Sequence, residues 1–323
     1  MINPALKFGL KTTRKIYSTI QHGNTMSGRN WKMFSNKTYA NDLIYNMILS
    51  EKPCMIARFG STEMLNLVNY IGVKHKARFK NYKTYIKGQT PPWWWEQSNI
   101  DQLQNWSGFF PAEISKVEQF CELMFNDVHE VDLLGSWLLT EKYFDDYLKN
   151  AKKVVLEDIE PFFAPNPWTK ALKGKKVLIV HPFAKTIEQQ YKKRQLLFEN
   201  DLLPDFEIRT VKAVQSIAGV KTEFADWFEA LESMKRQIDA IDYDICIIGA
   251  GAYGFPLAAH VKRSGKKAIH MAGVTQLLFG IIGNRWENYI VWPYTNLFNE
   301  HWVRPGDTEK PVGANKVEGA CYW

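Results

Sequence analysis

Short apolar runs that break into glycine-rich or polar turns constrain this chain more than any other feature. Cys54-Met55-Ile56-Ala57 ends in Arg58-Phe59-Gly60-Ser61-Thr62-Glu63, and Lys153-Val154-Val155-Leu156 runs into Glu157-Asp158-Ile159-Glu160-Pro161. Lys176-Val177-Leu178-Ile179-Val180 ends at His181-Pro182-Phe183, and Asp244-Ile245-Cys246-Ile247-Ile248 leads into Gly249-Ala250-Gly251-Ala252-Tyr253-Gly254. Each run has the length of a buried strand, and helix-forming stretches follow at 64–70, 168–174, 186–200 and from the last glycine turn through Ser264. With further strands at 206–211 and 267–270, this alternation predicts an α/β fold: a mostly parallel, Rossmann-like sheet with helices on both faces. Such sheets bind ligands at the carboxyl edge of their strands.

The rest of the chain is organised around that pattern. A helix is expected at 39–49, helices are expected from Pro111 through Lys149, and a long amphipathic helix at 224–238. The expected division is an N-terminal basic amphipathic segment (1–38), an α/β domain (39–303, with possible halves 39–150 and 151–303), and a Pro/Gly-rich surface tail (304–323). At the N-terminus Leu6, Leu10, Thr13 and Tyr17 share one helical stripe, while Lys7, Lys11, Arg14 and Lys15 supply charge. Two readings are open: a helix lying in a membrane interface, or one packed on its own domain.

Net charge bears on partners. The 41 Lys and Arg exceed the 34 Asp and Glu by seven, which favours an anionic partner such as a phosphorylated small molecule, a nucleic acid or an anionic membrane surface. Residues 74–95 interleave Lys74, Lys76, Arg78, Lys80, Lys83 and Lys87 with Phe79, Tyr82 and Tyr85 before Trp93-Trp94-Trp95. No run of about 18 apolar residues suggests a spanning helix, and the first residues lack a signal-peptide core. The four cysteines are scattered without a CxxC pair, as expected of a cytoplasmic protein.

Gly249, Gly251 and Gly254 match GxGxxG between a strand and a helix, where backbone can approach a phosphate. A dinucleotide enzyme is disfavoured, because the next strand ends in His270-Met271-Ala272 without the ribose-binding acid and only about 70 residues follow the motif. Phosphate binding of a nucleotide-type ligand and a packing role for the glycines both stay open. In the early turn Arg58 can clamp a phosphate, and Glu63 can bind a sugar hydroxyl, hold a metal or act as a base. The bland alternative is a surface ion pair in an ordinary loop.

The order Arg58-x-Gly60-x-x-Glu63 after an early strand, the late Gly249–Gly254 turn, Leu257-Ala258, and Gly265 through His270 together resemble the GT-D type glycosyltransferases. His181-Pro182-Phe183, Trp227-Phe228-Glu229-Ala230-Leu231 and Gln276-Leu277-Leu278-Phe279-Gly280 also look like uncharacterised proteins of bacterial surface-polysaccharide clusters. The likeness covers most of residues 50–287. It implies a transferase that moves a sugar from a nucleotide-sugar to a lipid-linked or growing surface glycan, in the cytoplasm or peripherally on the inner face of the membrane. It carries Arg58, Gly60 and Glu63 onto the early turn and Gly249 and Gly251 onto the late one. Ser61 departs from the family's acidic pair that holds a metal, and serine is a poor ligand beside a carboxylate. No residue is therefore assigned as a metal ligand, and Mg or Mn remains an open alternative to neutralisation by side chains.

Glu63, Asp158, Glu160 and His181 are the candidate catalytic groups. Arg58, Gly60, Ser61, Lys185, Arg194, Gly249, Gly251, Tyr253, Gly254 and His270 are the candidate donor-binding set. The Trp triplet can stack on sugar rings, dip into a membrane, or pack in a core. Two alternatives stand beside the glycosyltransferase: a nucleic-acid-binding protein using residues 74–95, and a pyruvyl or other group transferase of glycan biosynthesis.

Overall fold

The computed structural model describes residues 2–20, 28–30, 33–289, 292–311, 314 and 320–323. Its strands are β1 (Cys54–Ala57), β2 (Leu133–Ser136), β3 (Lys152–Val155), β4 (Lys176–His181), β5 (Glu207–Lys212), β6 (Ile245–Ile248) and β7 (Lys267–His270). They form one sheet in the order β3-β2-β1-β7-β6-β4-β5, with every neighbouring pair parallel. The α-helices before β2 are α1 (Pro4–Ile20), α2 (Lys37–Leu49), α3 (Ser61–Lys74), α4 (Lys76–Phe79), α5 (Tyr82–Ile86), α6 (Gln97–Ser107) and α7 (Ile114–Asp127). Those after β4 are α8 (Ala184–Tyr191), α9 (Arg194–Leu197), α10 (Trp227–Asp239), α11 (Gly254–Arg263) and α12 (Asn284–Glu287). Among the described residues no helix is long and apolar enough to cross a membrane.

Alternate residues of the strands enter two cores. Met55, Ala57, Leu178, Val180, Cys246 and Ile248 pack under α3, α7, α10 and α11. Cys54, Ile56, Val177, Ile179, Ile245 and Ile247 pack on the opposite face against α2, α8 and α9. Both faces are covered, which explains why the strands read as unbroken apolar runs. The sheet takes β1 and β2 from the first half of the chain and β3 to β7 from the second, so it spans the possible boundary at residue 150.

Several sequence expectations need correction. Helices were expected through Lys149, yet α7 stops at Asp127 and β2 follows. Leu133, Leu134, Gly135 and Ser136 are all buried, so no alternation marks them as a strand, and leucine is an equally good helix former. The helix expected at 186–200 is two short helices, α8 and α9. The tail is not confined to the surface: Glu309 is buried and accepts the N–H of Lys185 (2.9 Å) and of Thr186 (3.2 Å), and Trp323 is buried too. Trp93 and Trp94 pack with Leu10 and Tyr85. That leaves neither of these two indole faces open to a sugar, while Trp95 is half-buried and Tyr82 exposed.

One polar residue ties the second core to the β3 edge. Asn41 on α2 is fully buried; its amide donates to the carbonyls of Lys37 (3.1 Å), Asp158 (3.2 Å) and Glu160 (3.4 Å) and accepts the Trp168 N–H (3.1 Å). Asn41→Ala strands several buried groups, each costing about 1–3 kcal/mol. A loss of at least about 2 kcal/mol in urea unfolding is expected, and an unchanged midpoint would contradict this role.

Candidate functional site

The connections leaving β4 and β6 run in opposite directions, one to β5 and the other to β7, which opens a crevice between their carboxyl ends. A cavity of about 640 Å³ occupies this edge. Every strand end contributes to it: Arg58 after β1, Trp137 after β2, Glu160 after β3, His181 at β4, Ser216 beyond β5, the Gly249–Tyr253 turn after β6 and His270 at β7.

Of the residues singled out from sequence, Arg58, Gly60, Ser61, Glu63, Glu160, His181, Gly249, Gly251, Tyr253 and His270 line this cavity. Asp158, Lys185, Arg194 and Gly254 do not. Asp158 is a structural clasp, accepting the Ser35 hydroxyl (2.6 Å) and the Asn36 N–H (2.7 Å) at the start of α2. Arg194 pairs with Asp205 (2.6 Å) and lies over Tyr191, and the Lys185 side chain is exposed. Gly254 packs against His270, where an added Cβ would come within 2.2 Å of the ring.

The glycine turn has steric reasons for its composition. A Cβ at Gly249 would meet the Ala272 carbonyl at 2.6 Å and His181 at 2.7 Å. Gly251 adopts φ +53°, and a Cβ there would meet the Ser107 carbonyl at 2.9 Å. The Gly249 N–H is bound to the Val180 carbonyl (2.9 Å) and that of Tyr253 to the Ala250 carbonyl (3.1 Å), which pins both ends of the turn. Tyr253 is fixed by stacking on Trp227, with ring centroids 4.9 Å apart, and by its hydroxyl contact with Ser216 (3.2 Å).

Arg58 is the electrostatic centre. It lies over Trp137, 5.0 Å from the ring centroid, and Trp137 is held by a hydrogen bond from its indole N–H to the Phe59 carbonyl (3.0 Å). Its guanidinium makes no hydrogen bond or ion pair with any described residue. Burial pulls its pKa below the ordinary value; Glu63 opposes that shift and Arg285 adds to it. Arginine keeps its charge in proteins, so a half-buried cation lines the cavity, packed on Trp137 and favoured by Glu63, with its donors unused by any described residue. Glu63 is buried at the start of α3 and accepts the Thr62 hydroxyl (2.9 Å), which itself contacts the Ser107 hydroxyl. An added Cβ at Gly60 would collide with the Glu63 carboxylate.

The remaining titratable groups resolve their burial by staying neutral. Desolvation pushes the Glu160 carboxyl up to about 8, with Lys37 and the hydrogen bond from Tyr294 (2.7 Å) opposing. His181 falls to about 3 by desolvation. Its Nδ1 accepts the Phe183 N–H (3.0 Å), so its proton sits on Nε2. His270 also falls to about 3, through desolvation and then Arg58. Its Nδ1 faces the Ile248 carbonyl (3.3 Å), which requires the proton on that nitrogen.

Trp137, Ser107, Ser216, Arg285, Tyr289 and Tyr322 also line the cavity and were not anticipated. Recognition of β2 would have placed Trp137 at a carboxyl edge. Arg285 and Tyr322 stack at 4.7 Å, and the guanidinium donates to the phenol oxygen (2.9 Å), a contact between distant segments that no local signal reveals. As for a divalent metal, no group of three His, Cys, Asp or Glu gathers among the described residues. Ser61 offers only a hydroxyl beside the carboxylate of Glu63, so the early turn supplies one strong oxygen ligand where the resemblance implies an acidic pair. Comparison with protein-family models, curated proteins and solved structures finds no match.

The neutral groups set a pH dependence with a defined sign. Between the ordinary carboxyl value and about 8 the folded state keeps the Glu160 proton while the unfolded chain has lost it, so stability falls as pH rises through that window. His181 and His270 act oppositely, losing stability only as pH drops below about 6.5. Toward pH 8.5 the buried Cys54, Cys121 and Cys246 thiols, all raised by desolvation, add a loss of the same sign as unfolded thiols begin to ionise. From pH 7 to 8 the Glu160 carboxyl is expected to account for most of a loss of about 1 kcal/mol, and Glu160→Gln is expected to remove most of that slope. Parallel urea midpoints for the two proteins over this range would contradict the assignment.

Proposed function

We propose that this protein is a glycosyltransferase that uses a nucleotide-sugar donor and a lipid-linked or growing glycan acceptor. The observation that carries the reading is the Arg58 guanidinium, which makes no hydrogen bond or ion pair with any described residue and lines the same cavity as the Gly249–Tyr253 turn. Its donors are free to grip an anion, and a diphosphate on the glycine turn is such a group. Pocket size agrees, since about 640 Å³ accommodates a small-molecule ligand.

The chemistry follows from the groups present. The acceptor hydroxyl oxygen bonds to the anomeric carbon as the bond from that carbon to the donor phosphate breaks. The diphosphate leaves with the electron pair, and Arg58 with the backbone N–H groups of 250–252 stabilises its charge. Glu63 is the base that takes the acceptor proton, because Glu160 already holds one at neutral pH. Neutral His181 and His270 orient substrate by hydrogen bonds. Arg58 supplies positive charge at the diphosphate from the chain itself.

The test is turnover of a panel of UDP-, GDP-, CMP- and dTDP-sugars, with product mass distinguishing sugar transfer from transfer of pyruvyl or another group. Arg58→Ala is expected to weaken donor binding about tenfold to a hundredfold. Glu63→Gln is expected to lower turnover about a hundredfold or more while donor binding persists. Absence of donor binding or turnover by the folded wild type, or full activity in both variants, would overturn the reading.

A further inference from the structure

Helix α1 packs on the rest of the chain through only part of its expected apolar stripe. Leu10 is buried, and Lys7, Arg14 and Tyr17 are half-buried on the same side. Lys7 donates to the Trp95 carbonyl (3.1 Å), Lys11 pairs with Glu96 (2.8 Å), and Arg14 lies 4.7 Å over Tyr85. Three of the helix's four cations are thus spent on the protein. Leu6 and Thr13, expected in the apolar stripe, lie on the outside.

The outward side carries Leu6, Phe8, Gly9, Thr12, Thr13, Ile16 and Ile20. Phe8, Ile16 and Ile20 are 74%, 54% and 70% exposed, and no described residue covers this face. It holds no carboxylate, since α1 has none. Beside it lies α5, against which α1 packs through Leu10, Tyr85 and Ile86. Residues 74–87 around α5 expose Lys74, Lys76, Arg78, Lys80, Lys83 and Lys87.

Charge bookkeeping points the same way. Residues 74–87 hold six Lys and Arg and no Asp or Glu, close to the chain's whole net charge of +7. An uncharged, apolar helix face bordered by exposed lysines matches one surface in particular: apolar side chains enter the acyl boundary while cations meet anionic headgroups.

We infer that the outward face of α1, with the lysine rim of 74–87, docks the protein on an anionic phospholipid bilayer. The apolar side chains come from α1 and the cations from the neighbouring segment, so the two halves of the membrane signal are far apart in sequence. This stands on α1 and its rim alone and does not depend on the transferase reading.

The full chain is floated with vesicles of phosphatidylcholine and with vesicles containing about one-third phosphatidylglycerol. The expected result is flotation with anionic vesicles only, weakened by salt. The combined Phe8→Ser, Ile16→Ser and Ile20→Ser variant is expected to lose at least about tenfold in partition, with unchanged circular dichroism because these side chains are exposed. Lys76→Glu with Lys83→Glu is expected to lose about fivefold per lysine. Equal binding to neutral vesicles, no binding by the folded wild type, or serine variants that float like wild type would each overturn it. So would a wild-type dimer that the serine variant abolishes without any vesicle binding, since the face would then belong to a second copy.

Discussion

All seven strands point the same way in one sheet covered on both faces, and this constraint organises the molecule. Parallel neighbours cannot be joined by hairpins, so each connection crosses back over a face as helix or irregular chain. Every carboxyl end therefore emerges on one edge. Arg58, Trp137, Glu160, His181, Ser216, Gly251 and His270 are dispersed over more than two hundred residues of sequence, yet they line one cavity. The sheet's burial holds that edge in place: Ile56, Ile179, Ile247 and Ile269 are all fully buried, and truncating any one to alanine costs about 2–5 kcal/mol.

At that edge the protein handles buried charge in two ways. Most titratable groups are neutral: Glu160 keeps its proton, and His181 and His270 shed theirs. Arg58 cannot take that route. Its charge is favoured by Glu63 through space and by the aromatic face of Trp137, worth about 0.5–2 kcal/mol. Its donors remain without a hydrogen-bond acceptor among the described residues, which is why an anionic ligand is proposed there. The glycine turn lines the same cavity, and its glycines are required where the backbone closes on Ala272, His181 and Ser107.

The sequence revealed the fold where burial alone decides. Strands β1, β4, β6 and β7 are apolar runs ending in turns, and their edges yielded Arg58, Glu63, His181, Gly249, Gly251 and His270. Elements that depend on tertiary partners were not legible. β2 lacks alternation, since both faces are buried, and its end residue Trp137 was lost with it. Glu157, Asp158 and Glu160 look alike as a string of acids. Only in the fold does Glu157 pair with Arg29, Asp158 clasp the start of α2, and Glu160 fall under Tyr294. The N-terminal helix shows the same limit. Its cations turn inward because Glu96 and the Tyr85–Trp94 cluster lie there, a preference that helical periodicity cannot report.

The claim that Arg58 and the late glycine turn together hold a diphosphate is tested most directly by determining the structure of the protein with a nucleoside diphosphate at saturating concentration. The account predicts the diphosphate bridging the Arg58 guanidinium and the backbone N–H groups of residues 250–252. A nucleotide bound elsewhere with Arg58 unengaged, or no nucleotide bound, would contradict it.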